Sequence, residues 1–174
     1  MAIAVEYAAI SYFIFTNEAL LRLDQPISYF SMISTTKEVF TLAFVVAAIL
    51  VAIFGYWLYQ TYPLNKKFIS AYGAIVVSQI IFASFTDGGS QQIVHLLAAL
   101  LTGAAMPLSV YLFIKQAKPQ RYKNVMAICL CLQVIAFATL LLSSGRFILL
   151  NEVILGAAFH LWAVLATFDL PSRA

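Results

Sequence analysis

Apolar residues along this chain come in long runs, and the runs are the length of a membrane span. Residues 39–59 read VFTLAFVVAAILVAIFGYWLY without one charge. A helix over them would be about 30 Å long, the thickness of a hydrocarbon core. Residues 68–85 are likewise uncharged and carry Ser78 and Gln79. Residues 93–114 are interrupted only by His95 and Pro107, and residues 125–142 only by polar uncharged groups such as Gln133. Residues 147–168 hold Glu152 near their start and His160 near their middle. The first candidate, 3–21, contains Glu6, Asn17 and Glu18, and equally fits a helix lying in the membrane interface.

Polar connections separate these runs. They are 60–67 (QTYPLNKK), 86–92 (TDGGSQQ), 115–124 (KQAKPQRYKN) and 143–146 (SSGR). The longest connection, 22–38, is too polar to span and too apolar for a free linker, so it is expected to fold back against the mouth of the bundle. The pattern predicts an all-α fold: a polytopic membrane protein with a six-transmembrane-helix bundle as one integral membrane domain over 1–174. The N-terminal stretch has no basic leader region and no clear small-x-small cleavage site, so it is expected to be a retained first span.

Composition fixes the solvent. Of 174 residues, 63% are hydrophobic and 10% charged, with a mean hydropathy of +0.95. A soluble domain carries about 25% charged residues. It must also face water with part of its surface, which a chain this greasy cannot do. A net charge of +3 with no basic stripe points away from nucleic acid as a partner.

Charge placement then orients the bundle. With six spans, Lys66, Lys67, Lys115, Lys118, Arg121, Lys123 and Arg173 share one side, while Arg22, Lys37 and Arg146 share the other. The positive-inside rule makes the first side cytoplasmic and places both termini inside. If 3–21 does not cross, the N-terminus lies outside and the later spans keep their orientation. Glu18, Asp24, Glu38, Asp87 and Glu152 gather on the outer side; Glu6 and Asp169 are the inner exceptions.

Ionisable groups at membrane depth are the candidate functional residues. Asp87 ends the third span and His95 opens the fourth. If the helix starts near Ser90, His95 lies roughly a turn and a half below the mouth, where Asp87 can orient its imidazole, bind a cation or cap the helix. The plainer reading is a capping Asp and a histidine bonded to a neighbouring span. Glu152 and His160 are eight residues apart on the sixth span, about 12 Å along one face. They form either an inward polar stripe with a role in proton, ion or headgroup contact, or interhelical glue. The two histidines are not expected at one depth, and HExxH, HxxxH and CxxC spacings are missing, so no metal and no cofactor is expected. Ser84 and Ser90 flank Asp87, but no Gly-x-Ser-x-Gly elbow supports serine hydrolysis.

The remaining polar and special residues read as packing devices. Gln79 and Gln133 are expected to make interhelical hydrogen bonds. Ala99 and Gly103 form a small-xxx-small face, and Pro107 should kink that helix or free one backbone carbonyl. Tyr56, Trp57 and Tyr59, with Tyr72 and Tyr122, look like an interfacial belt. Cys129 and Cys131, two apart in an apolar run, point in different directions on a helix and are not expected to pair.

Three short motifs carry a family resemblance: Pro26-Ile27-Ser28 in the first outer connection, Phe85-Thr86-Asp87 followed by His95, and Asn151-Glu152-Val153 before a last span holding Trp162. The arrangement resembles the prokaryotic six-span family named only as domain of unknown function 998. The chain departs from it at Thr86, where that family usually has Pro, and at Glu152-Val153, where it commonly has an acidic-basic pair. The resemblance implies a six-span topology and points to Asp87, His95 and Glu152; it implies no activity.

Two functional readings follow. The first is a small non-enzymatic membrane protein that binds a lipid, small solute, ion or partner helix through an outer-side polar cavity. The second is an intramembrane hydrolase or transferase acting on a lipid headgroup, with His95 as base and Asp87 as its orienter. Expected partners are membrane lipids, a small-molecule or ion ligand, and a second copy or a larger membrane complex. An enzyme would need His95 beside an open pocket.

Overall fold

The computed structural model describes residues 8, 11–12, 37–85, 91–142 and 148–169. Apart from short connections these residues are helical, and none of them forms a strand. Five helices follow one another: α1 (Lys37–Thr61), α2 (Lys66–Ser84), α3 (Gln92–Ala117), α4 (Lys123–Leu142) and α5 (Ile148–Phe168). Each is long and apolar enough to cross a membrane. They coincide with the second to sixth predicted spans. The first predicted span, 3–21, lies outside the described residues apart from isolated positions, as does nearly all of the 22–38 connection.

Several boundaries need correction, among them the 60–67 connection, which shrinks to 62–65 because Gln60 and Thr61 end α1 and Lys66 and Lys67 open α2. Lys37 and Glu38 belong to the first turn of α1 rather than to the preceding connection. Helix α3 runs on to Ala117, so the loop before α4 is only 118–122. A charged side chain is no obstacle to a helix once it has reached the interface, where water solvates it.

Local chemistry sets the helix ends. Asn65 caps α2, its side chain accepting a hydrogen bond from the Lys67 backbone N–H at 2.9 Å. Lys118 closes α3 in the left-handed region (φ 51°, ψ 55°), and Pro119 then prevents continuation. The helix stays continuous through Pro107, which has no N–H to give the Gly103 carbonyl four residues back.

Consecutive helices are antiparallel neighbours. Helix α3 packs against α2, α4 and α5, while α1 packs on α2. The apolar stretch of α3 is 50% buried against 22% for α4, which makes α3 the central helix. Close approach uses small residues. A Cβ on Gly55 would overlap the buried Tyr72 ring, and one on Gly103 would come within 2.6 Å of Phe137. Around Trp162 the rings of Tyr62, Phe113 and Phe159 interlock, with centroids 4.8 Å apart for Tyr62–Phe113, 5.4 Å for Phe113–Trp162 and 5.1 Å for Phe159–Trp162. Tyr72 belongs to this core, stacked on Phe68, and not to the interfacial belt.

The polarity of the bundle is inverted relative to a protein in water. Ser78, Gln79, His95, Ser109, Gln133 and Asn151 are buried, whereas Leu42, Leu97 and Leu142 are 66%, 61% and 82% exposed. Exposing a leucine to water forgoes about 2 kcal/mol of burial energy. Facing hydrocarbon, it forgoes nothing. Cys129 is buried and Cys131 exposed, on different faces of α4, and both are free thiols.

Candidate functional site

Helix α3 carries His95, Thr102, Ser109 and Gln116 at intervals of seven residues. Two turns separate each from the next, so they lie on one face about 10.5 Å apart. Three of them meet α2 or the residues that flank it. His95 Nδ1 is 2.8 Å from the Phe85 carbonyl, Thr102 Oγ1 is 2.6 Å from Ser78 Oγ, and the Asn65 N–H donates to Gln116 Oε1 at 2.7 Å. Ser109 donates to the Ala105 carbonyl of its own helix at 2.8 Å. The α2–α3 contact is thus a polar seam in an apolar bundle.

His95 is the member nearest the start of α3. Because α3 starts at Gln92, the residue sits in the first helical turn, shallower than the sequence predicts. Its ring is 3% exposed and stacks on Phe82, with centroids 4.3 Å apart and planes at 29°. A backbone carbonyl can only accept, so Nδ1 must be the donor to Phe85. In the neutral ring Nε2 then presents a lone pair. That atom is buried and has no hydrogen-bond partner among the described residues. Asp87, the expected orienter, lies outside the described residues; the group that fixes the imidazole is the Phe85 carbonyl.

The other candidates lie elsewhere. Gly103 against Phe137 and the Thr139–Asn151 hydrogen bond (2.8 Å) set the register of α3, α4 and α5. In that register half-buried Glu152 is level with Thr102. Half-buried His160 is level with Val110, about 22 Å along the axis from His95. The two histidines therefore do not share a site. Among the described residues no group of three or more His, Cys, Asp or Glu side chains is placed to hold a metal. Gln133 corrects a second expectation: it is 0% exposed, and neither its amide nitrogen nor its amide oxygen has a hydrogen-bond partner among the described residues. Among the same residues, buried Gln79 Oε1 and Trp162 Nε1 find no partner either.

A polar clasp at the opposite end was not anticipated. The Asp169 carboxylate accepts hydrogen bonds from the backbone N–H groups of Gln120 (3.1 Å) and Arg121 (2.8 Å). The Tyr62 hydroxyl lies 2.6 Å from the Ala166 carbonyl and 2.9 Å from that of Asp169, sharing its hydrogen between them. Together these bonds tie the end of α1 and the α3–α4 loop to the end of α5. The sequence signal is slight: one Asp directly after an apolar run, and a Tyr beside a Pro. Burial, reinforced by the Asp169 charge, pushes the Tyr62 phenol up from 10.0 to about 12. Unfolded chains lose this proton near pH 10 and the bundle holds it to about 12, so the stability it confers is complete below pH 10 and lost between pH 10 and 12. Alkaline difference absorbance of wild type minus Tyr62→Phe should show one tyrosine with a midpoint near pH 12; a midpoint near 10 would refute the clasp.

No family model, curated protein or solved structure matches this chain.

Proposed function

We propose that this chain is a non-enzymatic multi-pass protein of a prokaryotic cytoplasmic membrane, with six spans and both termini inside. Its outer-side polar site takes a small solute or ion at His95. The six-span topology agrees with the family that the chain resembles. The observation that carries the reading is the buried Nε2, without a partner among the described residues, of a ring whose Nδ1 is already committed to Phe85. A buried acceptor without a donor calls for a ligand or a water. With the ring only 3% exposed, that ligand has to be small, so a lipid headgroup or a partner helix does not suit this atom. A proton, water or ammonium does. The same burial speaks against the hydrolase reading, which needs the base on an open pocket.

His95→Ala and His95→Phe test this together. Both variants should accumulate in the membrane at wild-type levels, since one buried bond to a carbonyl contributes about 1 kcal/mol. In vesicles loaded with a pH-sensitive dye, wild-type protein should speed the decay of an imposed pH step, and both variants should fall to the rate of protein-free vesicles. Equal rates for wild type and His95→Phe would remove the proton-and-ion reading. Failure of both variants to insert would make His95 a structural residue.

A further inference from the structure

At the end of the bundle that carries the clasp, α3, the 118–122 loop and the start of α4 enclose an open cavity of about 600 Å³. Lys115, Lys118 and Lys123 line it, together with Tyr111, Ile114 and Gln120, and among the described residues no acidic side chain does. We infer that this groove is a binding site for the phosphate of an anionic phospholipid, the three lysines taking the headgroup and the exposed face of α3 taking an acyl chain.

Four observations converge on it. Lys115, Lys118 and Lys123 are all exposed, so their ammonium groups can be brought to one anion without desolvating first. Asp169, the carboxylate bound to the loop, is 8% exposed and engaged by the Gln120 and Arg121 backbone N–H groups, so it is not free to swing out and pair with the lysines. The same two bonds hold the loop in shape, and Lys118 is fixed in the left-handed conformation, so the groove exists before its ligand arrives. Finally, the groove opens onto lipid. Leu108, Tyr111 and Lys115 follow one another on the outer face of α3, Leu108 48% and Tyr111 46% exposed, which leads from hydrocarbon to headgroup depth along one helix. Lys115 Nζ lies 5.7 Å over the Tyr111 ring, a weak cation–π contact that a phosphate can replace. Basic pockets between spans, on the side where anionic lipids gather, are where such headgroups bind.

The lipid source is favoured over free phosphate because most of the wall is apolar. Native mass spectrometry of the full chain, released from vesicles of equal phosphatidylglycerol and phosphatidylcholine, tests the assignment. Wild type should retain phosphatidylglycerol preferentially. Lys115→Gln/Lys118→Gln should weaken that retention by about tenfold or more. Lys66→Gln/Lys67→Gln removes the same charge from exposed residues of the same bundle end and should leave retention unchanged. Equal weakening by the two double variants would reduce the effect to general surface charge and overturn the site. Displacement of the lipid by millimolar inorganic phosphate would reassign the groove to a free anion and overturn the lipid assignment. Both doubles alter exposed side chains only, and an unchanged melting temperature in detergent confirms that they fold.

Discussion

Asp169→Ala should lower the unfolding free energy of the bundle by about 3 kcal/mol. The carboxylate is buried and accepts two backbone hydrogen bonds from the 118–122 loop. Deleting it leaves the Gln120 and Arg121 N–H groups without acceptors, at about 1–3 kcal/mol each when buried and less where water can reach. Asp169→Asn keeps one acceptor oxygen and should lose about half as much. The measurement is reversible unfolding in mixed micelles, with Tyr62→Phe as a milder companion. A change below about 1 kcal/mol for the alanine variant would mean that water or another group replaces the carboxylate at no cost.

Gln133→Leu should act in the opposite direction and stabilise the bundle by about 2 kcal/mol. The amide nitrogen and oxygen of Gln133 are both buried without partners among the described residues, and apolar surroundings penalise each. Leucine has a similar volume and no polar atom, so the substitution removes the penalty without opening a cavity. In the α3–α4 register Gln133 is level with Pro107, one turn from the Gly103 carbonyl that Pro107 leaves without its helical donor. Destabilisation by Gln133→Leu would therefore place a bridging water or a ligand between the amide and that carbonyl. The same micelle unfolding assay decides, and Gln133→Met guards against a shape mismatch at the branched leucine.

What could be read in advance follows from the solvent. Runs such as 39–59 announce their helices because length and lack of charge suffice for a span. Which face turns inward is a different matter. In water, burial selects apolar residues, so periodicity reveals the core. In hydrocarbon, Leu42 on the outer face and Phe40 in the core cost the same, and the apolar pattern carries no inside or outside. Polar residues hold that information instead. His95, Thr102, Ser109 and Gln116 stand seven apart in the sequence, a spacing that would have revealed the α2–α3 seam. His95 stands out in the sequence as a candidate because a titratable residue in a span is rare. Its actual partner was not, because the Phe85 carbonyl is backbone and leaves no mark on residue type. Asp169 was missed for a similar reason: its bonds run to the N–H groups of Gln120 and Arg121, which any residues there would supply.

The even spacing of that seam also restricts how α2 and α3 can assemble. If α3 slid past α2 by a single turn, His95, Thr102 and Gln116 would each be stranded opposite aliphatic or aromatic neighbours in the same movement. Intermediate alignments are thus costly all at once and not one bond at a time. The pair behaves like a toothed rack that meshes in one position, which makes it the part of the chain best suited to settle first and to serve as a template against which α4 and α5 dock.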